Sequence, residues 1–166
     1  HLSMIGGHLG TVKLLLSNSS SDLEAHRYNR DTLLRHASSH GHVDIVKHLL
    51  LKTSADVEAF DNEHNNALHL GALGGHLEIV KLLVTKARAD LEVAGQHGCT
   101  SLLLASSSGH VDVVKYLLLE TNAKVKSTSN EHNNPLHLAA LGGHLEIVKL
   151  LVTDARLDLE VKGEHE

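Results

Sequence analysis

Histidine is the first residue type to explain, because it occurs 16 times in 166 residues and is a common metal ligand and proton-transfer group. His36 and His40 have the i,i+4 spacing of two metal ligands on one helix face, but the glutamate that a metalloprotease helix places between them is missing. His97 and Cys99 are close in sequence, yet no third group is there to orient them as a catalytic pair. We therefore predict no catalytic residue, no metal site and no cofactor.

Composition and charge narrow the function further. The single cysteine, Cys99, excludes an internal disulfide framework and is ordinary for a reducing compartment. The formal net charge of −5 gives nucleic acid and anionic membranes no general attraction. No apolar run exceeds four residues, whereas a membrane span needs about 20. We expect an intracellular, cytoplasmic protein that binds neither nucleic acid nor a membrane.

The dipeptide Gly-His recurs with a period of 34 residues, which is typical of repeat proteins. In each copy a valine and a lysine follow the pair at fixed distances. Residues 62–93 and 130–161 are identical except at positions 67, 71, 86 and 89 of the first segment, which indicates a duplicated unit of two repeats. The pair stands at Gly7-His8, Gly41-His42, Gly75-His76, Gly109-His110 and Gly143-His144.

Two short helices and a turn must position the residues of each period. The segment 77–84 places its apolar side chains on one face and is predicted to be an amphipathic helix. The segments 67–73 and 135–141 are predicted to form a second kind of helix, rich in small residues and ended by a Gly-Gly pair. Polar stretches such as 59–66 contain the usual turn formers, so we predict exposed turns there.

Two repeat families have periods close to this length, the tetratricopeptide repeat and the ankyrin repeat. The tetratricopeptide repeat uses aromatic residues at fixed places, and this chain has only Tyr28, Phe60 and Tyr116. By contrast, the segment 134–140, Asn-Pro-Leu-His-Leu-Ala-Ala, and the segment 143–151 closely resemble the ankyrin pattern Thr-Pro-Leu-His-x-Ala-Ala-x-x-Gly-His-x-x-Ile-Val-x-x-Leu-Leu. The chain is similar to the ankyrin repeat family over essentially its whole length.

The resemblance implies an all-α ankyrin-repeat solenoid of helix-turn-helix layers with projecting β-hairpin-like turns. Because residue 1 aligns with the interior of the motif, we expect a segment of a longer array, whose uncapped ends would allow end-to-end self-association. The predicted divisions of this single array are a partial repeat at 1–27, full repeats at 28–61, 62–95, 96–129 and 130–163, and the start of a further repeat at 164–166.

The histidines of the Gly-His pairs and of the Leu-His helix start look structural in ankyrin repeats, where they hydrogen-bond the backbone of adjacent units. The resemblance also implies a concave binding face, made of the turn tips and the exposed end of each first helix and here called the tip face. Matched position by position, its residues are Tyr28, Asn29, Asp31, Ser39, His40, Asn62, Glu63, Asn65, Leu73, Gln96, His97, Cys99, Ser107, Ser108, Asn130, Glu131, Asn133 and Leu141.

One position of the tip face alternates between apolar and polar residues in successive repeats. Isoleucine or leucine in one repeat is followed by serine in the next, so apolar side chains recur about 20 Å apart at ~10 Å per helix layer. We expect the apolar members to anchor a partner within a polar rim. The series is Ile5, Ser39, Leu73, Ser107 and Leu141.

Function is predicted from the resemblance and from the missing catalytic groups together. They favour a non-catalytic module that binds a partner protein on the tip face, because a repeat stack offers an extended rigid surface. One alternative is a substrate-recruiting arm of a larger enzyme or effector protein, which sequence outside this segment would reveal. A metal-dependent enzyme, suggested only by the histidine content, would carry stoichiometric zinc.

Two departures from the repeat pattern lead to finer expectations. His36 occupies a position that is leucine in the later copies, so a buried imidazole is predicted. Acidic pairs recur at one place in the period, but Lys124 and Lys126 stand there in one copy. Stacking would place like charges side by side, so we expect these lysines to lie between acidic neighbours and relieve the repulsion.

Overall fold

The computed structural model describes residues 9–17 and 23–153. In these two ranges the chain forms α-helices joined by turns, with one short 3₁₀ turn at Gln96–Gly98 and no strand. The α-helices are α1 (Leu9–Ser17), α2 (Leu23–Ser39), α3 (Val43–Lys52), α4 (Ala67–Leu73), α5 (Leu77–Thr85), α6 (Ser101–Ser107), α7 (Val111–Leu119), α8 (Pro135–Leu141) and α9 (Leu145–Thr153).

Helices pair into layers, and each layer packs on the next. The pairs are α2 with α3, α4 with α5, α6 with α7, and α8 with α9, and α1 is the second helix of the layer before them. First helices contact first helices of the adjacent layers, and second helices contact second helices. This arrangement confirms the predicted all-α repeat solenoid in the described part of the chain.

The core is a continuous row of leucine, isoleucine and valine between the two sets of helices. In α5, Ile79, Val80 and Leu83 are fully buried, as the spacing of apolar residues on one helical face predicts. Small residues let a short first helix approach the second helix of its own layer closely. At Gly71 of α4, a Cβ would lie 3.3 Å from the Ile79 Cγ2 atom of α5.

Each first helix starts and stops at identifiable residues. At the start of α4, the Asn66 side chain accepts the backbone N–H of His69 at 3.1 Å, and the Asn66 N–H donates to His69 Nδ1 at 3.1 Å. This reciprocal pair is a capping box, and Asn134 with His137 repeats it at α8. After the helix, the glycine of the Gly-His pair has a positive φ, 72° at Gly75, which reverses the chain into the second helix.

The turns between layers are closed without strands in the described residues. The backbone N–H of Asp61 donates to the Asn65 carbonyl at 2.9 Å, and Ser129 donates to Asn133 at 3.0 Å in the same way. His64 sits at the tip of the first of these turns with φ of 65°. The prediction of hairpin-like turns is therefore confirmed for these positions, although histidine replaces the usual glycine.

The first full repeat departs from this plan, because α2 runs from Leu23 to Ser39 without a turn. The sequence explains the difference. The turn that leads into α4 is held by Asp61, whose carboxylate accepts the backbone N–H groups of Glu63 and Asn65 at 2.9 and 2.8 Å. One period earlier, Arg27 stands at the position of Asp61. The arginine side chain has no hydrogen-bond acceptor, so it cannot hold the backbone N–H groups of a turn there in place of the helical hydrogen bonds.

The recurring acidic positions are stabilised by backbone donors of the next layer. Glu92 Oε1 accepts the N–H of Lys124 at 2.7 Å, and its Oε2 accepts the Ser127 hydroxyl at 2.9 Å. Glu58 likewise accepts the N–H of Asp90 at 2.9 Å. The contact with Glu92 is made by the Lys124 backbone, and among the described residues no ion pair involves the ammonium group of Lys124 or Lys126, so the expected charge relief stays a prediction. The acidic pair expected on the other side, at positions 158 and 160, lies outside the described residues.

Alanine at two equivalent glycines separates backbone strain from crowding between layers. Gly75 and Gly143 have φ of 72° and 73°, but only a Cβ at Gly75 would meet another described side chain, the His110 imidazole. We expect Gly143→Ala to cost about 1 kcal/mol of unfolding free energy from the left-handed backbone, and Gly75→Ala to cost more. Urea unfolding followed by circular dichroism measures both, and equal losses would contradict the crowding.

Candidate functional site

The tip face is held in place by histidines of the Gly-His pairs. The Nε2 atom of each imidazole donates to a carbonyl of the preceding layer, since a carbonyl can only accept. The prediction that these histidines bridge adjacent units is confirmed for three of them. The bonds run from His76 to Ser39 at 3.1 Å, from His110 to Leu73 at 2.8 Å and from His144 to Ser107 at 2.9 Å.

Each of these carbonyls belongs to a residue of the alternating position on the tip face. Ser39, Leu73 and Ser107 are the last residues of their first helices, where the backbone carbonyls have no partner within the helix. The imidazoles therefore satisfy the helix ends and fix the backbone that presents these side chains. His42 occupies the same position in its repeat, but its counterpart, residue 5, lies outside the described residues.

A second histidine bond fixes the turns. His69 is buried, and its Nε2 atom donates to the Val93 carbonyl at 2.9 Å while its Nδ1 atom accepts in the capping box. This pattern requires the neutral imidazole with its proton on Nε2. Burial is the main cause that lowers the pKa of His69, although the bond to Val93 and the charges of Glu58 and Asp61 oppose it.

In the preceding repeat an arginine, Arg35, makes the hydrogen bond that corresponds to the one from His69 to Val93. Arg35 occupies the position of His69, and its Nη1 atom donates to the Ala59 carbonyl at 3.2 Å, which bridges the same number of residues. Its Nη2 atom also donates to the Thr32 hydroxyl at 3.2 Å. Both side chains tie a first helix to the chain segment that leads into the following turn.

The turn tips are joined to each other by hydrogen bonds. Asn65 Oδ1 accepts the backbone N–H of Gln96 at 3.2 Å, and the Asn130 N–H donates to the His97 carbonyl at 2.9 Å. Gly98 has φ of 72°, and a Cβ there would collide with the Asn130 side chain, so a larger residue at this tip would have to displace that side chain. Successive tips are therefore connected rather than independent loops.

Most of the predicted tip-face residues are exposed or half-exposed. Leu73 and Leu141 are both exposed despite being leucines, at 42% and 76% of their surface. The structure brings Ser39, His40 and Asn62 together around one cleft, and Asn133 and Leu141 around another. The accessible members are Ser39, His40, Asn62, Glu63, Leu73, Gln96, His97, Ser107, Ser108, Asn130, Glu131, Asn133 and Leu141.

Three predicted tip-face residues are wrong because they are buried. Asp31 lies inside α2, where its carboxylate accepts the Asp56 backbone N–H at 2.7 Å. Asn65 is 1% exposed, and its side-chain oxygen accepts the backbone N–H of Gln96. Cys99 is buried against the turn, and burial is the first cause that raises the pKa of its thiol. All three are therefore absent from the accessible part of the tip face.

Two further predicted residues, Tyr28 and Asn29, belong to α2 rather than to a turn. The expectation of a turn tip there is wrong for the reason given for α2, namely that the repeat lacks the acceptor that would hold the turn. The positions of their side chains lie outside what the structure describes.

A cleft between α2 and the following turn is the feature that sequence reasoning missed. Its volume is about 340 Å³, and it includes His36, which was predicted to be buried but is exposed. That prediction is wrong because the equivalent leucines, such as Leu70, are themselves only half-buried at this edge of the helix. The lining is Thr32, Arg35, His36, Ser39, His40, Phe60, Asp61, Asn62 and Leu70.

The comparisons with known proteins agree with the geometry. A family model described as ankyrin repeats (3 copies) matches residues 1–95 and 86–162. The chain belongs to the ankyrin repeat family. Among individually curated proteins no match is found. Ankyrin repeats are generally protein-protein interaction modules and are typically non-catalytic.

The ankyrin array offers little chemistry beyond such a role in its described residues. Within the described residues, no group of three or more histidine, cysteine, aspartate or glutamate side chains could hold a metal ion. The i,i+4 pair His36 and His40 has ring centroids 6.1 Å apart, and the His40 Nδ1 atom is engaged with the His36 carbonyl at 2.9 Å. In the same ranges, no helix is long and apolar enough to cross a membrane.

Replacing His69 by leucine tests its role in the array, because the next repeat carries leucine at that position. We expect a loss of about 1–3 kcal/mol in unfolding free energy at neutral pH, since buried groups lose their partners. His137→Leu is the matched control, because His137 holds the same position but is exposed. The His137→Leu variant should lose less unfolding free energy than the His69→Leu variant.

The pH dependence of the same variants gives a second test. The folded pKa of His69 lies below the unfolded value of ~6.5, so the unfolded chain binds the extra proton. Its stabilisation is therefore complete above that value and is lost as the pH falls through the folded pKa. His69→Leu should flatten the acid loss of stability in urea titrations, and an unchanged slope would contradict the neutral imidazole.

Proposed function

We propose that this ankyrin array binds a partner protein along its tip face and performs no catalysis itself. The observation that carries the proposal is the exposure of Leu73 and Leu141 at one repeating position, with the polar Ser107 between them in sequence. Leucine side chains held out in water at equivalent places gain free energy when a partner covers them. A partner that buries one of them fully gains about 1.5–3 kcal/mol.

Polar side chains surround these leucines and supply the rim of the proposed interface. Asn62, Glu63, Asn130 and Glu131 are exposed at the turn tips of the two repeats that carry the leucines. Such groups steer a partner and fix its register more than they add affinity. The two leucines belong to layers two repeats apart, about 20 Å at ~10 Å per layer, so the partner is an extended or helical segment.

The face is rigid before any partner arrives. The carbonyl of Leu73 is bonded to His110, and the turn tips are joined through Asn65 to Gln96 and through His97 to Asn130. A preorganised surface loses less conformational entropy on binding than a flexible loop does. The hydrogen bonds between layers therefore support the binding role as well as the fold.

The proposal predicts that Leu73→Ser combined with Leu141→Ser weakens binding to a partner captured from a lysate by at least tenfold. Serine is the natural residue at this position in the neighbouring repeats, so the layers should stay intact, which the circular dichroism melting curve checks. Leu119→Thr is the control, because Leu119 is 66% exposed on a second helix, away from the tip face. Unchanged affinity of the double variant would refute the proposed interface.

A further inference from the structure

The cleft between α2 and the following turn collects the residues in which the first full repeat differs from the others. Histidine stands at position 36, where the later repeats have leucine, and at position 40, where they have glycine or serine. Phenylalanine stands at position 60, where the next two repeats have alanine and threonine. These departures are far apart in sequence, yet His36, His40 and Phe60 line one cleft.

The fold does not require these three residues. His36 and His40 are exposed, and Phe60 exposes 39% of its surface although it is the only phenylalanine in the chain. The later repeats fold with smaller or aliphatic residues at the same positions. Side chains that depart from the repeat at exposed positions and meet in one cleft indicate a recognition role rather than a packing role.

The helix side of the cleft offers hydrogen-bond donors. Arg35 carries the permanent positive charge there, and two of its nitrogens are occupied by the Ala59 carbonyl and the Thr32 hydroxyl, which hold the guanidinium in place. His36 and His40 add two imidazoles along the same helix edge, with ring centroids 6.1 Å apart. The His40 Nδ1 atom donates to the His36 carbonyl, so the His40 Nε2 atom donates to a ligand only when the ring is a protonated imidazolium. Guanidinium and imidazolium groups together favour an anionic ligand atom.

The opposite side of the cleft combines two apolar side chains with polar residues of the turn. The Phe60 ring stacks on the His64 ring with centroids 4.1 Å apart and planes 5° apart, and Leu70 of α4 also lines the cleft. Asp61 is the acidic residue among the lining side chains, and its carboxylate accepts the backbone N–H groups of Glu63 and Asn65. Both bonds go to the Oδ1 atom of Asp61, and the carboxylate offsets the positive charge of Arg35 in the cleft.

We propose that this cleft is the specificity pocket of the tip face and that it takes an acidic residue next to a bulky apolar residue in the partner segment. The carboxylate faces Arg35, His36 and His40, and the apolar side chain packs on Phe60 and Leu70. The volume of about 340 Å³ is near the lower limit of the ~300–1,000 Å³ of small-molecule sites, which suits one or two side chains. The inference rests on the proposed function and specifies the partner's chemistry.

Peptide selection on the purified 166-residue chain tests this proposal without knowledge of the natural partner. A phage library of random linear peptides should yield sequences in which Asp or Glu is adjacent to Leu, Ile, Met or Phe. One such peptide, labelled with fluorescein, gives a dissociation constant by fluorescence anisotropy. Its Asp→Asn or Glu→Gln version should bind at least tenfold more weakly, and binding should weaken as NaCl rises from ~50 to ~500 mM because salt screens the charges.

The protein variants use residues that other repeats carry, so that folding is preserved. His36→Leu, His40→Ser and Phe60→Ala together should weaken the selected peptide at least tenfold, and His36→Leu and Phe60→Ala should each weaken it singly. Leu119→Thr, which lies on a second helix, should leave the affinity for the selected peptide unchanged. Circular dichroism melting of each variant verifies the fold.

Three results would overturn the specificity pocket: no enriched peptide, enriched peptides without an acidic residue, or full affinity in the triple variant. The outcome for the wider interface is separate, because it rests on Leu73 and Leu141. If the double serine variant abolishes partner capture while the triple variant does not weaken the selected peptide, the tip face binds but the pocket is wrong. The reverse pattern supports the pocket and refutes the leucine anchors.

Discussion

The hydrogen bond from a histidine imidazole to the carbonyl that ends the preceding first helix is the interaction on which the array depends. First helices of seven residues leave most of their backbone groups unpaired at the ends, and a stack of such helices contacts only its neighbours. His76, His110 and His144 solve both problems at once, because each imidazole satisfies a helix end and ties its own layer to the one before. The apolar core supplies the free energy, and these bonds set the register in which the layers stack.

Histidine makes structural hydrogen bonds at some positions and lines the proposed specificity pocket at others. Buried His69 is held neutral by two opposed hydrogen bonds, one accepted at Nδ1 and one donated at Nε2. Exposed His36 and His40 line a cleft instead, at positions where the repeats tolerate leucine, glycine or serine. The histidine content therefore reflects repetition of a structural bond together with a local cluster on the tip face.

Duplication shapes the proposed interface. A unit of two repeats carries leucine and serine alternately at the tip-face position, so its copying produces anchors at Leu73 and Leu141. The first full repeat differs from this unit, with Arg35 in the place of a bridging histidine and with a continuous α2 in the place of a turn. Asp31 and Arg35 of that helix bind the chain segment that leads into the following turn, so α2 is still tied to the turn before α4.

The amino-acid sequence by itself determined the period, the two helices of each repeat and the family, and the family resemblance implied the bridging role of the Gly-His histidines. The period and the helices follow from local patterns, since the residues that cap and end a helix stand at fixed distances along the chain. Only the tertiary structure decided which tip residues reach solvent. Asn65 and Asp31 are polar turn formers in sequence, but both are buried in the structure. The Asn65 side chain accepts the backbone N–H of Gln96, and the Asp31 carboxylate accepts the backbone N–H of Asp56. The cleft around His36 and Phe60 was equally hidden, because its members are 24 residues apart and meet only when α2 packs against the following turn.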